Sequence, residues 1–132
     1  MTMDLTQAQV DAATERIENI IRTWQPLLGL EHWTITRKYR REGFAESREG
    51  WATLAWTSHD WAYLKATISF ALNEFIELDD NRAEEETLHE LMHLIVDELT
   101  HECNDREKHT DRTATLLAKA FQRVRKAGDK TE

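Results

Sequence analysis

The sequence predicts an α+β fold, because two kinds of hydrophobic periodicity occupy separate stretches of the chain. Apolar residues recur at helical spacing in segments 6–28, 79–99 and 104–127. Alternating stretches rich in β-branched residues lie between residues 33 and 72. The predicted order of elements is therefore α-β-β-β-α-α, and the length of 132 residues predicts a single domain over residues 1–132.

The first predicted helix has a marked beginning and a marked end. Thr6 followed by Gln9 is a capping-box pattern, in which two side chains satisfy backbone N–H groups at the helix start. Pro26 and Gly29 predict its end. The face expected to pack on the core has apolar residues at three- and four-residue steps. They are Val10, Ala13, Ile17, Ile20, Ile21, Trp24 and Leu28.

Three short stretches predict a small, mainly antiparallel sheet. They are residues 33–37, 51–56 and 63–70, and each contains β-branched or aromatic side chains. The polar segments 43–50 and 57–60 are predicted to connect them.

The two later helices are predicted from their caps and apolar stripes. Residues 79–81 begin the first of them, and acidic residues follow in its first turn, where they complement the positive helix end. Its inward stripe is predicted to be Leu88, Leu91, Met92, Ile95 and Leu99. The last helix is predicted to run from a cap at 104–105 to about Ala127, where Gly128 stops it. Its predicted inward residues are Leu117, Ala120, Phe121 and Val124.

The composition restricts the class of protein. With 17 basic and 25 acidic residues, the net charge of −8 argues against broad electrostatic attraction to nucleic acid. No apolar run is long enough to span a bilayer, and residues 1–21 lack the features of a signal peptide. Cys103 is the single cysteine, which fits a reducing compartment. We therefore expect a cytoplasmic monomer or small homo-oligomer without a membrane partner.

The stretch from His89 to His93 carries the strongest indication of chemistry, because it reads H-E-x-x-H within a predicted helix. Residues four apart share a helix face, so His89 and His93 can bind one ion. Imidazole is a preferred ligand of Zn²⁺, and two histidines leave room for a third protein ligand and a water. Glu90 is displaced about 100° around the helix, where it can act as the general base.

A solvated helix face bearing two histidines is the competing interpretation of this motif. The surrounding residues Leu91, Met92 and Leu94 argue against it, since they predict partial burial of the histidines. Buried imidazoles need polar partners, and a metal ion is the simplest one. The pattern therefore favours a zinc site.

The third zinc ligand must come from outside the motif, and the residues alone leave several choices. His101 lies two turns beyond His93, about 12 Å along the axis, which is too far unless the helix ends first. Glu107, His109 and Asp111 begin the last predicted helix, which can fold back antiparallel onto the motif. Helical periodicity does not separate these three.

The motif and the helix that follows it resemble the gluzincin-type zincin metallopeptidases. In that family an acidic third ligand stands six residues before a large-apolar/small pair, as Asp111 stands before Leu117-Ala118. The order of elements, with the stretch 30–35 leading into the sheet, is similar to that of small phage and mobile-element metallopeptidases. The family more often has Glu at the position of Asp111. In SprT-like proteases, a second resemblance, a third histidine falls roughly at His109, and Glu107 is the remaining alternative.

This resemblance implies a zincin-like fold and zinc-dependent hydrolysis of peptide bonds, with His89, His93 and Asp111 as ligands and Glu90 as the catalytic residue. It also implies that the strand from Lys65 to Phe70 forms the sheet edge along which an extended peptide pairs. Candidates for stabilising the oxyanion are His59, Tyr63, His101, His109 and Arg112. Two alternatives stay open: a zinc hydrolase with a non-peptide substrate, and a zinc-stabilised, non-catalytic binding or regulatory module.

Overall fold

Four helices and three strands make up the described part of the chain, so the α+β class is confirmed. The computed structural model describes residues 5–41, 54–100 and 106–130, without the side chains of 98–100, 106–111 and 129–130. The elements are α1 (Gln7–Leu27), β1 (Thr34–Arg40), β2 (Ala55–Asp60), β3 (Lys65–Ala71), α2 (Leu72–Phe75), α3 (Asp80–Thr100) and α4 (Arg106–Lys130). A 3-10 turn, Trp61–Tyr63, joins β2 to β3.

The capping box at the start of α1 and the glycine after its end are confirmed, whereas Pro26, also predicted to end the helix, lies inside it just before the last residue, Leu27. Thr6 Oγ1 accepts a hydrogen bond from the Gln9 N–H at 3.1 Å, and Gln9 Oε1 accepts one from the Thr6 N–H at 2.9 Å. Gly29 follows the helix at φ +73°, a left-handed conformation that glycine adopts without steric cost, and its N–H donates to the Pro26 carbonyl. The buried face of α1 consists of Ala13, Ile17, Ile21 and Trp24.

The three strands form a mixed sheet in the order β1-β3-β2, rather than the mainly antiparallel sheet that was expected. β1 is parallel to β3, and β2 is antiparallel to β3. The first two strands in the sequence, β1 and β2, therefore lie at the two edges of the sheet, and β3 lies between them. The stretch from Lys65 to Phe70, expected at an edge, is the central strand because it is the most apolar. Ile68 and Phe70 are fully buried there.

The second strand lies later in the sequence than predicted. The expected stretch, 51–56, falls partly outside the described residues, and β2 instead includes 57–60, which were expected to be a polar connection. The inward positions of β2 are the polar residues Thr57 and His59, which contact polar side chains of α3. A strand whose inward face is polar does not show the hydrophobic alternation on which strand prediction depends.

Helix α3 turns its apolar stripe toward the core, as predicted, and contacts α1 and β2. Asp79 caps it, since Asp79 Oδ1 accepts a hydrogen bond of 2.8 Å from the Arg82 N–H. Leu88, Leu91 and Met92 are fully buried, and Ile95 is partly buried against the same core. The side chain of Leu99, also predicted to be in this stripe, lies outside the described residues. Among the described residues, no helix is long and apolar enough to cross a membrane.

Helix α4 packs against α3 through a different face from the one predicted. Its buried residues are Ala114, Ala118 and Gln122, whereas Phe121 is 41 % and Val124 is 69 % exposed. Ala120 is also exposed, and Leu117 is half-buried. Small alanines allow the two helices to approach closely, and Gln122 Nε2 donates to Glu84 Oε1 at 2.6 Å.

Helix α4 also extends beyond its predicted end. It continues through Gly128 to Lys130, although Gly128 was expected to stop it. Glycine disfavours a helix interior by only about 1 kcal/mol, and an isolated glycine near a helix end is therefore tolerated.

Candidate metal centre

The two histidines of the motif lie one turn apart on α3 and face each other. Their Nε2 atoms are 3.1 Å apart, and the ring centroids are separated by 4.8 Å. Both side chains are mostly buried, with 18 % of His89 and 12 % of His93 exposed. The structure thus brings together the two side chains that the helical spacing predicted to share a face.

The Nδ1 atom of each histidine is engaged by a neighbouring side chain. His93 Nδ1 lies 2.8 Å from Asp97 Oδ1, and because an ionised carboxylate only accepts hydrogen bonds, this nitrogen carries the proton. His89 Nδ1 lies 2.8 Å from the hydroxyl of Thr115 on α4, whose oxygen can accept a hydrogen bond from the Nδ1–H group. Nδ1-protonated neutral rings carry their lone pairs on Nε2, where the two rings approach each other.

The carboxylate of Glu90 lies beside the two imidazoles and is shielded from solvent. The residue is 8 % exposed. Its Oε1 accepts a hydrogen bond of 2.7 Å from the Thr57 hydroxyl of β2, and its Oε2 lies 4.0 Å from His89 Nε2. The possible ligand atoms of His89, Glu90 and His93 all lie within 4.8 Å of one another.

The geometry of the two histidines fits a tetrahedral metal ion. Zn–N bonds of about 2.0–2.1 Å at a tetrahedral angle place two nitrogens about 3.3 Å apart. The observed Nε2 separation of 3.1 Å is close to this value. A metal-bound histidine is usually supported by a hydrogen bond that its Nδ1–H donates, and Asp97 and Thr115 are in place to accept such bonds.

The third-ligand candidates cannot be placed from the described side chains. Helix α4 begins at Arg106 and packs along α3. This agrees with the expectation that the last helix folds back onto the motif helix. The side chains of Glu107, His109 and Asp111 lie outside the described residues, as do His101 and Cys103. The assignment of Asp111 therefore stays a prediction.

A second histidine–carboxylate contact, which the sequence reasoning did not identify, adjoins the motif. Asp97 Oδ2 lies 2.8 Å from Nε2 of His59 on β2. The His59 ring stacks on Trp61 with centroids 4.5 Å apart. Burial acts to raise the pKa of Asp97, but hydrogen bonds from His93 and His59 outweigh burial, so the pKa lies below its usual value. One carboxylate therefore joins the motif helix to the edge strand.

The described candidates for stabilising the oxyanion differ in their contacts and exposure. His59 is committed to Asp97, while Tyr63 is 73 % exposed and Arg112 is exposed on α4. Asp97 could have been found from its spacing, since it stands four residues after His93 and shares its helix face. Thr57 and Thr115 come from other elements, and no local pattern in the sequence points to them.

The fold and the site together define an α+β chain in which α3 carries the H-E-x-x-H motif, with the side chains of His89, Glu90 and His93 close together. Comparisons with protein-family models, with curated proteins and with solved structures found no match. The resemblance to the gluzincins and to the SprT-like proteases accordingly depends on the motif, the spacing to the next helix and the order of elements.

Proposed function

We propose that this chain is a zinc-dependent metallopeptidase in which His89 and His93 hold the ion and Glu90 is the general base. The observation that carries the proposal is the pair of Nε2 atoms 3.1 Å apart, with both Nδ1 atoms engaged. Histidines on a solvated helix face would be exposed and would need no such support. Their burial, and the 8 % exposure of Glu90, favour the metal interpretation over a solvated face.

Asp111 is proposed as the third ligand, with His109 and then Glu107 as the alternatives. Position 111 lies one helical turn before Thr115 on α4. Because the Thr115 hydroxyl contacts His89, this face of α4 is turned toward the motif. Position 109 is six residues before Thr115 and therefore lies on a different side of the helix.

The proposed chemistry is a hydrolysis in which Glu90 moves protons. A bound Zn²⁺ would supply a Lewis acid that polarises the scissile carbonyl and lowers the pKa of water to about 7. Glu90 Oε2 faces the histidine pair and is free of the Thr57 hydrogen bond, so it is placed to accept the proton of the attacking water. Glu90 then delivers this proton to the nitrogen of the leaving amine.

Strand β2 is the proposed platform for an extended peptide substrate, in place of the stretch 65–70. The central strand β3 is paired on both sides and has no edge to offer. Within the part of the chain that the structure describes, β2 pairs only with β3. Its inward side chains reach Glu90 and Asp97, so its open edge adjoins the site. A peptide or protein substrate, a cytoplasmic location and a monomeric or small homo-oligomeric state are parts of this proposal.

Metal analysis and a peptide-library digestion test the proposal directly. We expect the purified chain to bind one Zn²⁺ and to cleave peptides, and Glu90→Gln to keep the metal and lose the cleavage. A chain that binds zinc but cleaves nothing would favour the binding module, and cleavage by Glu90→Gln at the wild-type rate would refute the mechanism. The matched control is Glu77→Gln, which makes the same change outside the motif.

A further inference from the structure

We propose that Thr57 is a positioning residue, whose hydroxyl holds the Glu90 carboxylate with Oε1 occupied and Oε2 turned toward the histidine pair. This inference rests on the proposed function, since it concerns how the base of that site is oriented. It assigns different tasks to the two oxygens of one carboxylate. Oε1 is the anchor, and Oε2 is the atom that takes up the proton.

The contact between the two side chains is short and its direction is defined. Thr57 Oγ1 lies 2.7 Å from Glu90 Oε1. The ionised carboxylate can only accept, so the hydroxyl is the donor, and charge-assisted bonds of this kind are stronger than neutral ones. Because Glu90 is 8 % exposed, solvent competes little for the same oxygen. The other oxygen, Oε2, is the one 4.0 Å from His89 Nε2.

The anchor is itself held in place by the sheet. Thr57 is paired with Ile68 of the central strand β3, and Ile68 is fully buried. Threonine is β-branched, so its χ1 angle has few accessible values. Glutamate, in contrast, has three rotatable side-chain bonds and needs a fixed partner to keep one orientation. Thr57, which has few side-chain conformations, therefore restricts the orientation of the Glu90 carboxylate.

Strand β2, the proposed platform for the substrate, is thus also the strand that orients the proposed base, Glu90. Thr57 and His59 occupy successive inward positions of β2 and contact Glu90 and Asp97 of α3. A displacement of β2 relative to α3 would move the carboxylate of Glu90 away from the histidines. A misplacement of a reacting group by about 1 Å can cost about 100-fold in rate.

Thr57→Val and Thr57→Ser distinguish the effect of the Thr57 hydroxyl from the effect of the side-chain shape. Valine keeps the branched shape and the strand preference but removes the donor, whereas serine keeps the donor. We expect Thr57→Val to lower kcat about 10- to 100-fold with unchanged KM and zinc content. Thr57→Ser should retain kcat within about threefold of wild type. Thr34→Val, which makes the same change at an exposed position of the opposite edge strand β1, is the matched control and should leave kcat unchanged.

Crystal structures of wild type and Thr57→Val supply a readout that does not depend on activity. We expect the Glu90 carboxylate to leave its wild-type position in Thr57→Val and to keep it in Thr57→Ser. An unmoved carboxylate, or a Thr57→Val enzyme with wild-type kcat, would overturn the inference. If the wild-type chain hydrolyses no peptide, the proposed function fails, while a displaced carboxylate still supports the anchoring contact.

Discussion

His93 and Asp97 lie one turn apart on α3, with the imidazole Nδ1 2.8 Å from the carboxylate Oδ1. Because this contact fixes the proton on Nδ1, the lone pair of the neutral ring lies on Nε2, the atom proposed to bind the metal ion. We expect Asp97→Ala to weaken zinc affinity about 10- to 100-fold, as measured by competition with a chromophoric chelator. Asp11→Asn, which removes a carboxylate charge at an exposed position of α1, is the control. Wild-type affinity in Asp97→Ala would show that this contact does not support the site.

The partner of Asp97 on the edge strand should make a smaller contribution. His59 contacts the other oxygen, Asp97 Oδ2, and does not contact either motif histidine through a described hydrogen bond. His59→Phe keeps an aromatic ring to stack on Trp61 but removes the hydrogen bond to the carboxylate. We expect a loss of zinc affinity smaller than that of Asp97→Ala, about threefold to tenfold. A loss as large as that of Asp97→Ala would instead indicate that β2 and α3 separate in the variant.

The choice of third ligand can be decided by comparing two alanine variants. We expect Asp111→Ala to lose most of the bound zinc, because a two-histidine site lacks the third protein ligand that catalytic zinc sites have. His109→Ala should keep wild-type zinc content. Zinc stoichiometry after dialysis is the measurement. If His109→Ala alone empties the site, the SprT-like arrangement is the correct one; if both variants do, four protein ligands favour a structural metal.

Local signals were sufficient to predict the starts of α1 and α3 and the core of the motif, although Gly128 does not end α4 as predicted. The Thr6–Gln9 capping box and the cap at Asp79 depend on residues three apart, and both occur as expected. The approach of His89 and His93 follows from helical spacing alone. These features are predictable because their interacting groups lie within one or two turns of each other in the chain.

The features that the sequence did not predict depend on contacts between elements. The polar inward residues of β2 are explained only by the side chains of α3 that meet them. The packed face of α4 also depends on contact between elements, since close helix packing buries Ala114 and Ala118 and leaves the larger Phe121 and Val124, predicted to face inward, exposed. The expectation that the largest apolar residues face inward therefore predicted the wrong face of α4.

The packing of α4 on α3 makes a prediction about stability. Ala118 is fully buried, so Ala118→Leu should force the helices apart and lower the free energy of unfolding by about 1–3 kcal/mol. Ala120→Leu makes the same change at an exposed position and should alter that free energy by less than about 0.5 kcal/mol. Urea unfolding followed by circular dichroism measures both. The reverse ranking would mean that α4 packs through the face first predicted.

The contact between Tyr39 of β1 and Glu18 of α1 predicts a loss of stability in alkali. Burial, then the hydrogen bond to Glu18 and the charge of that carboxylate, raise the pKa of Tyr39 far above its ordinary value of 10.0. A raised folded-state pKa means that the fold favours the protonated phenol. This contribution is fully present below about pH 10, the unfolded pKa, and is lost as the pH rises above it.

Tyr39→Phe tests this pH dependence, because phenylalanine keeps the ring against Phe70 but cannot ionise. We expect the free energy of unfolding of wild type to fall as the pH rises above about 10, the unfolded pKa, toward the raised folded-state pKa. That of Tyr39→Phe should fall less over the same range. Urea unfolding at each pH is the measurement, and Tyr63→Phe, at a residue 73 % exposed, is the control. Equal slopes for wild type and Tyr39→Phe would show that another group causes the alkaline loss.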